Sequence, residues 1–388
     1  MHFDIVIVGA GLVGASLALA LRGTGLRVAL VEPRPLAPLP GDGSWDTRVY
    51  AISPGSAAFL AAGGAWERLD PARLGPVLEM EIRGDDSASE LRFSAYDAGV
   101  PELATILESR LLAAAIWEVL QGQPDLELFC PAACAALALE DSGAVLTLDD
   151  GRALGTALVV GADGAESWVR SQAGIAAVSE PYGQMGVVAN FAIGTPHRGI
   201  ARQWFRRDGV LALLPLAGDQ VSMVWSTWDE PARELAALEP QALCVRLADA
   251  TRGVTGELSV ITPATAFPLR LLRLKTCIGR RVALIGDAAH NVHPLAGQGV
   301  NLGFRDAREL AAVLAGRGAQ PDCGHHGLLR RYERARREDV LLMQFTTDRL
   351  QKLFNNDNPA LAQARNLGLR LTEQLAPAKN FLIRHALG

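Results

Sequence analysis

Side chains that could carry out chemistry are concentrated in one stretch late in the chain, IGDAAHNVHPLAGQGVNLG, residues 285–303. Asp287, His290 and His293 could bind a metal or transfer protons, because carboxylates and imidazoles serve both purposes. The glycines that follow, from Gly297 onward, could instead let the backbone approach a bound anion closely. The stretch therefore admits two interpretations, a metal or acid–base site and a backbone cradle for a cofactor.

A second glycine cluster, GAGLVG, lies near the N-terminus and contains Gly9, Gly11 and Gly14. Between a buried strand and a helix, the first glycine permits a tight turn and the second lets the backbone approach a pyrophosphate. The third allows the helix to pack closely on the strand. Glu32 ends the next apolar run, where a carboxylate can accept hydrogen bonds from ribose hydroxyls. This pattern predicts a dinucleotide-binding turn.

Two further segments could complete such a site. VVGADGAESWVR places Asp163 and Gly164 at the end of a buried strand, although the same residues would also suit a strand end followed by a capped helix. Gly286 and Asp287 end another buried strand, where Asp287 could accept hydrogen bonds from a ribityl chain. We expect a helix to begin near Asn301, with its exposed amides directed towards the ligand.

The elements that must position these segments can be predicted from periodicity. Buried strands at residues 3–8 and 27–32 flank a helix at 12–22 and form a βαβ unit. A long amphipathic helix is predicted from about Ala104 to Gln121. Four short strands should follow, the middle ones forming an antiparallel meander that returns to the parallel sheet.

A second sheet is predicted between residues 181 and 268, where apolar and polar residues alternate and turn residues separate the runs. A short helix capped by Ser53, with Pro54 at its first position, is also expected. After the buried strand RRVALIGDA the chain should be helical to its end.

The three glycine-containing segments together resemble the three motifs of the group A flavoprotein aromatic hydroxylases, which have the para-hydroxybenzoate hydroxylase fold. DTRVYAIS, ILESR, EPYGQMGVVANF and the C-terminal NLGLRLTEQLAPAKNFLIRHALG are similar, more narrowly, to the ubiquinone-biosynthesis hydroxylases of that family. The resemblance extends over essentially the whole chain. It differs at Ser109, where the family usually has asparagine.

This resemblance implies an α/β fold with a Rossmann-like FAD-binding domain, an inserted, mostly antiparallel β-sheet substrate domain and a C-terminal helical segment. The expected ranges are 1–72, 100–180 and 275–340 for the FAD-binding domain, 73–99 and 181–274 for the substrate domain, and 341–388 for the helical segment. The residues expected to contact FAD are Gly9, Ala10, Gly11, Val13, Gly14, Glu32, Arg48, Arg110, Cys134, Asp163, Gly164, Gly286, Asp287, Gly297, Gln298, Gly299, Val300 and Asn301.

The reaction implied is hydroxylation of the aromatic ring of a polyprenylated phenol in ubiquinone biosynthesis. Reduced flavin would react with O2 to give a C4a-hydroperoxide, and NAD(P)H would be the transient electron donor. No metal is required, and no side chain is expected to carry the chemistry alone. The proposed pocket residues are His293, Pro294, Pro215 and Trp225, with Val187, Ala189, Trp204 and Leu213 as further candidates. The alternative is that the apolar ones simply form the core of their domain.

The composition excludes several other classes of protein. A net charge of -5 and a pI near 5.9 give no electrostatic footprint for nucleic acid. Five cysteines, an odd number without a paired metal-ligand spacing and without a preceding signal peptide, favour a reducing cytoplasm. The apolar run near the N-terminus is interrupted by glycines and does not predict a membrane span.

The C-terminal segment 361–388 mixes basic and apolar residues. Such a helix could contact the inner membrane peripherally, dock on proteins of a biosynthetic complex, or pack on its own domain. Homo-oligomerisation stays open. Two alternatives to the leading function are a hydroxylase of a soluble phenol or secondary metabolite, and a non-catalytic flavoprotein scaffold of a quinone-biosynthesis complex.

Overall fold

The computed structural model describes residues 1–84, 90–206, 208–292 and 297–354. The predictions made for His293, Pro294 and the segment 361–388 lie outside these described residues. The helices and sheets together form a mixed α/β fold, which confirms the predicted fold class.

The strands in chain order are β1 His2–Val8, β2 Val28–Val31, β3 Val49–Ile52, β4 Gly75–Val77, β5 Glu79–Arg83, β6 Glu90–Ser94, β7 Ala104–Glu108, β8 Leu126–Phe129, β9 Cys134–Leu139, β10 Ala144–Leu148, β11 Ala153–Gly161, β12 Ala177–Ile193, β13 Ile200–Arg206, β14 Gly209–Pro215, β15 Gln220–Trp228, β16 Leu258–Leu274, β17 Ile278–Gly279 and β18 Val282–Leu284. The helices are α1 Leu12–Ala20, α2 Pro54–Ala62, α3 Ala95–Ala98, α4 Ser109–Leu120, α5 Trp168–Gln172, α6 Asp229–Ala236, α7 Pro240–Thr251, α8 Gly299–Ala315 and α9 His326–Phe354. Short 3-10 turns lie at Trp66–Arg68, Pro71–Arg73 and Gly286–Ala288.

The first sheet is built on parallel strands in the order β18, β11, β1, β2 and β8. The side chains of β1 from Ile5 to Ile7 are fully buried, as expected for a parallel strand covered on both faces. β9, β10 and β11 pair antiparallel in sequence, so the predicted meander returning to the parallel sheet is confirmed. The ends of β1, β11 and β18 therefore lie side by side.

The second sheet has the order β16, β12, β15, β14, β13, β5 and β6, and it is antiparallel except where β13 pairs with β5. Its central strands coincide with the alternating runs of the sequence, because alternation gives one apolar face for a core. Helices α6 and α7 pack on one face of this sheet. We call that face the outer face and the opposite face the inner face.

The helix predicted from Ala104 to Gln121 is wrong over its first five residues. Ala104–Glu108 forms β7, which pairs with β3 and β4, and α4 begins only at Ser109. Pairing with distant strands decides the conformation here, which local periodicity does not report. The consequence is functional, because β7 and β3 place Glu108 and Arg48 next to one another in the fold.

The helix start predicted at Ser53 and Pro54 is confirmed. Ser53 caps α2 by accepting a hydrogen bond from the amide of Ser56 at 3.3 Å, and Pro54 is its first residue, as expected. α9 runs through residue 341 without a break, so a domain boundary at that position would divide a helix. The remaining domain boundaries stay a prediction. Within the described ranges, no helix combines the length and apolarity that a bilayer crossing demands.

Candidate functional site

The first two glycine-containing segments touch each other at the ends of β1 and β11. Gly9 has a φ of +101°, and a Cβ on it would lie 2.5 Å from the carbonyl oxygen of Ala162. A Cβ on Gly14 would lie 2.0 Å from the carbonyl oxygen of Gly9. These two positions therefore require glycine for the fold itself, before any ligand is considered.

Gly11 is different, because a Cβ built on it would meet no atom within 4 Å in the part of the chain that the structure describes. It stands at the N-cap of α1, so the first amides of the helix face open space in front of it. Behind this turn, the backbone N–H of Ala10 donates to Glu32 at 2.8 Å and the indole N–H of Trp117 donates to the carbonyl of Ala10 at 3.1 Å. The turn is thus fixed by protein contacts while its front stays free to receive an anion.

The third segment packs against the first and the second. Cβ atoms on Gly286 and Gly303 would lie 3.3 Å and 2.6 Å from methyl carbons of Val13. The guanidinium of Arg170 donates to the carbonyl of Ala288 at 2.9 Å. Three segments separated by more than a hundred residues therefore form one continuous wall.

Asp287 carries the carboxylate expected to face a ribityl chain. It is exposed to solvent, yet surrounding protein raises its pKa by desolvation, and the charges of His290 and Arg48 oppose that shift. An exposed group that is nevertheless closely surrounded by protein lies in a concave place. The guanidinium carbon of Arg48 lies 5.2 Å from the ring centre of Tyr50, and burial raises the pKa of that phenol. Arg48, Tyr50 and Asp287 thus share one polar recess.

The side chain of Asp163 is occupied by its own helix. It accepts hydrogen bonds from the hydroxyl of Ser167 at 2.5 Å and from the amide of Val169 at 3.0 Å, at the start of α5. The alternative noted from sequence, a strand end with a capped helix, therefore describes this carboxylate. Gly164, with a φ of +84°, continues the turn. If this segment contacts a cofactor, it must do so through its backbone or through the lone pairs of the Asp163 carboxylate that accept no hydrogen bond from Ser167 or Val169.

Cys134 begins β9 next to this turn. Burial, followed by the charges of Asp163 and Asp149, raises the pKa of its thiol to about 12. Burial also raises the pKa of the Cys130 thiol. The Cys134 side chain is therefore protonated at neutral pH, which makes it a poor nucleophile, and its contact with a cofactor stays a prediction.

Glu108 is a buried charge whose importance the sequence reasoning missed. Its side chain is 0% exposed and accepts from the amide of Asp46 at 2.6 Å and from Arg73 at 2.6 Å. Arg110 lies 3.4 Å from the same carboxylate, and its guanidinium also donates to the carbonyl of Ser44. Glu108 therefore holds in place the loop that leads to Arg48. The sequence feature that could have indicated a buried charge is the glutamate that follows an apolar run in ILESR, residues 106–110.

Asp306 is a second missed residue. It is fully buried in α8 and accepts from the amide of Gly286 at 2.9 Å, and it lies 2.6 Å from Nε2 of His290 and 2.7 Å from Nε of Arg336. Burial alone would raise its pKa, but His290 and Arg336 outweigh this effect and the pKa lies below its ordinary value. The signal was a carboxylate on the apolar face of a helix, four residues from Leu302.

His290 accordingly belongs to an ion cluster beneath the strand end. Its partner Asp306 also binds Arg336, which in turn binds Asp339 at 2.7 Å. The described residues hold no group of three His, Cys, Asp or Glu side chains placed to bind a metal ion. His290 therefore supports the turn at Gly286 from below.

The glycine loop ends in the N-terminus of α8, which begins at Gly299, two residues before the predicted start. A Cβ on Gly299 would meet no atom of the described residues within 4 Å, so this helix end also faces space that they leave open. Oε1 of Gln298 is buried without a partner among the described residues. Asn301 uses its side chain on the protein, accepting from the amide of Ser53 at 3.0 Å and donating to the carbonyl of Ala51 at 2.8 Å.

The apolar residues proposed to line the pocket lie on the outer face of the second sheet. Val187, Leu213 and Trp225 pack in one core with Leu235 of α6 and Leu247 of α7. Ala189 and Trp204 belong to the same core, and alternation along β14 puts Pro215 on the same face as Leu213. The structure thus places Trp225 in the core that these helices share and Pro215 on the same face of the sheet, and contact of either residue with a substrate stays a prediction.

The inner face instead turns towards β3 and the loop before it. Leu214, Trp45, Val49 and Ala51 all pack against one small cluster that includes Ala201 of β13, and the side chain of Asn190 donates to the carbonyl of Asp46 at 2.8 Å. The inner face and the polar recess of Arg48, Tyr50 and Asp287 are therefore joined by one short stretch of chain. A ring lying between them would be close to both.

These features fit an FAD. Two helix N-termini, at Gly11 and Gly299, face open space and offer partial positive charge. Carboxylates stand at Glu32, where ribose hydroxyls would donate, and at Asp287. Gly9, Gly14 and Gly286 give the close backbone packing that brings these parts together.

Comparison with known proteins agrees with this geometry. The profile of the family described as "FAD binding domain" matches residues 138–343, more than half of the chain. A profile described as "Lycopene cyclase protein" matches residues 4–67, which contain the βαβ unit.

Full-length relatives are also similar. The chain is 36% identical over 386 residues to "Ubiquinone hydroxylase UbiL" of Rhodospirillum rubrum, covering 99% of this chain and 89% of that protein. It is 34% identical over 388 residues to "3-demethoxyubiquinol 3-hydroxylase" of Escherichia coli, covering 99% and 98%. Among solved structures, PqsL of Pseudomonas aeruginosa, described as a probable FAD-dependent monooxygenase, superposes with a TM-score of 0.78 at 27% identity, covering 96% of this chain and 100% of that one.

Proposed function

Because this chain belongs to the ubiquinone-biosynthesis branch of the group A FAD-dependent monooxygenases, we propose that it hydroxylates the aromatic ring of a polyprenylated phenol, using O2 and NAD(P)H. The observation that carries the proposal is the convergence of three distant glycine-containing segments on one recess beside the inner face of the second sheet. In that arrangement the cofactor site would lie next to the site for the substrate ring.

The cofactor contacts are assigned as follows. The N-terminus of α1, in front of Gly11, would hold the pyrophosphate, and Glu32 would bind the adenosine ribose. The carboxylate of Glu32 is already oriented by the amide of Ala10 at 2.8 Å, and its remaining lone pairs can accept from ribose hydroxyls. Asp287 would accept hydrogen bonds from the ribityl chain, and Arg48 and Arg110 would lie near the cofactor. The backbone of Gly297, Gln298, Gly299, Val300 and Asn301 would surround the ring.

When bound and reduced, FAD supplies the oxygen-activating chemistry, which the side chains of this protein lack. The protein must orient the ring, stabilise negative charge and exclude water. The amides at the start of α8 face the place where the reduced ring would carry negative charge, and the helix dipole adds to their effect. The inner face of the second sheet would shield a bound ring from solvent, which favours oxygen transfer over loss of peroxide.

Membrane contact is proposed for the exposed side of α9. Leu341 and Phe345, one helical turn apart, are 52% and 59% exposed, and Leu342 lies beside them. Arg334 and Arg337 border this apolar strip, which is the composition of a surface that rests on anionic lipid. A lipid-soluble substrate would reach the protein most directly from the membrane on which this surface rests. The proposed location is the cytoplasmic side of the inner membrane, with peripheral attachment.

Deletion of the gene tests the proposal in the cell. The expected result is accumulation of a polyprenylated phenol that lacks one ring hydroxyl, identified by mass spectrometry of extracted quinones, with restoration by the wild-type gene. The ring position that lacks a hydroxyl in this intermediate would identify the carbon that the protein hydroxylates. An unchanged quinone pool would contradict the proposal and favour a hydroxylase of a soluble phenol or secondary metabolite. A protein that binds FAD yet shows no NAD(P)H oxidation would favour a scaffold.

A further inference from the structure

An exposed aromatic ring lies on the inner face of the second sheet. Phe267 of β16 is 40% exposed and pairs with Gly186 of β12. Its neighbour Ala266 packs against the core under α6 and α7, so alternation along the strand turns Phe267 to the inner face. The open side of this ring is therefore available to a ligand that enters between the sheet and the polar recess.

Gly186 is the seat of this ring. A Cβ on it would lie 2.8 Å from Cζ of Phe267, and 3.0 Å and 3.3 Å from Cε2 and Cε1. If the ring met the glycine edge-on, the two outer carbons would be clearly farther away than Cζ, so the face of the ring rests on the glycine. Any side chain at residue 186 would push the end of the ring away from the sheet. The pair thus fixes the height and the direction of the ring.

Phe267 stands between two points at which the second sheet meets the walls of the recess. Five residues along β16, the carbonyl of Leu272 accepts from the amide of Asn291, in the third glycine-containing segment, at 3.4 Å. Four residues along β12 in the opposite direction, Asn190 donates to the carbonyl of Asp46 at 2.8 Å. At about 3.3 Å per residue, the ring lies about 17 Å from the first contact and about 13 Å from the second. It therefore faces the region where the cofactor site and the inner face adjoin.

The side chains beside the ring are apolar and accessible. Val188 of β12 pairs with Val224 of β15, which pairs with Ala212 of β14, and all three are partly exposed. Their strand neighbours Val187 and Trp225 pack in the core under α6 and α7, so this row lies on the inner face. The ring and the row together form one open apolar surface.

A flat apolar surface with an aromatic ring in it suits a planar aromatic ligand, because ring pairs gain energy beyond the burial of their area. We propose that Phe267, seated on Gly186, is an aromatic wall that packs against the substrate ring and makes the site select aromatic over saturated rings. The inference rests on the proposed function for the identity of the ring, but it concerns binding and can be measured without turnover.

The test is calorimetric titration of FAD-loaded protein with 2-farnesylphenol and with its saturated analogue, 2-farnesylcyclohexanol. The wild type is expected to bind the phenol about two- to tenfold more tightly, which is the scale of an aromatic pair. Phe267→Leu, which keeps apolar bulk but removes the ring, should lose this preference. Tyr96→Leu is the matched control, because Tyr96 is 91% exposed on α3 and its loss should change neither affinity.

Gly186→Ala tests the seat of the ring. It should weaken phenol binding by a similar factor in the wild type and have no effect in Phe267→Leu, because the two residues act as a unit. The overlapping atoms are the free end of a side chain, and alanine loses less backbone entropy than glycine on folding, so Gly186→Ala should unfold no earlier than the wild type.

Equal binding of the two probes by the wild type, binding of neither, or a Phe267→Leu variant that keeps the full preference would overturn the inference. An effect of Gly186→Ala that persists without the Phe267 ring would also overturn it. Preference without hydroxylation would leave this inference standing and remove the proposed reaction, whereas hydroxylation without preference would do the reverse.

Discussion

Replacement of Gly11 by valine should separate cofactor binding from folding. A Cβ at this position meets no atom of the described chain within 4 Å, whereas a Cβ on Gly14 would overlap the carbonyl oxygen of Gly9 at 2.0 Å. Carbon atoms in contact need about 3.5–4 Å of separation. The new side chain at residue 11 would therefore project only into the space assigned to the pyrophosphate.

The expected magnitudes differ accordingly. Without FAD, Gly11→Val should change the free energy of unfolding by about 1 kcal/mol or less, the scale of an N-cap substitution. Gly14→Ala should lower it by about 1–3 kcal/mol or more, because the core must move to relieve the overlap. FAD at a hundred times its Kd should stabilise the wild type by about 2.7 kcal/mol, which raises Tm by about 3 °C in a chain of this length. Added FAD should not stabilise the Gly11→Val variant.

The assay is thermal unfolding of FAD-stripped protein with and without added FAD, together with the flavin absorbance of the protein as purified. Gly11→Val should unfold near the wild-type temperature without FAD, purify colourless and show no rise with added FAD. A variant that is as yellow as the wild type would refute the assignment of the pyrophosphate to this turn. A variant that unfolds far below the wild type without FAD would show that Gly11 is needed for the fold.

Three further predictions concern buried charge and the exposed helix. Glu108→Gln should destabilise the protein by about 3–5 kcal/mol, measured by urea unfolding, because Arg73 loses its buried partner; an unchanged midpoint would contradict this. Asp306→Asn should have a similar effect at neutral pH. Because the folded pKa of Asp306 is depressed, its contribution is present above the ordinary carboxyl pKa of about 4 and is lost as pH falls towards the folded value. The difference between wild type and Asp306→Asn should therefore shrink in acid, and a difference independent of pH would count against the ion cluster. Leu341→Ser with Phe345→Ser should reduce sedimentation with vesicles of phosphatidylcholine and phosphatidylglycerol while leaving flavin content unchanged, and full retention of binding would remove α9 from the membrane surface.

The sequence predicts well those features that depend on local order. Gly9 and Gly14 follow a buried strand and open a helix, and the structure places both where only glycine fits. Ser53 and Pro54 mark a helix start through contacts within one turn, and α2 begins there. Features of this kind need no knowledge of the rest of the chain.

What escaped prediction depends on distant partners. Ala104–Glu108 has helical periodicity but forms a strand because β3 and β4 lie beside it. Alternation predicts β15 as a strand but does not show which of its faces meets helices, so the packing of Trp225 in one core with residues of α6 and α7 could not be predicted. Asp306 is stabilised by His290 and Arg336 from two other parts of the chain, a pairing that no local pattern reveals.

The most direct test of the central claim is transfer of molecular oxygen to a substrate ring by the purified protein. FAD-loaded protein is incubated with NAD(P)H, oxygen-18 gas and a polyprenylated phenol, and the product is analysed by mass spectrometry. The account predicts a ring-hydroxylated product carrying one oxygen-18 atom, formed only when all components are present and absent with Gly11→Val. NAD(P)H consumption with label found only in peroxide or water for every phenol tried, or a product whose new oxygen comes from solvent, would contradict it.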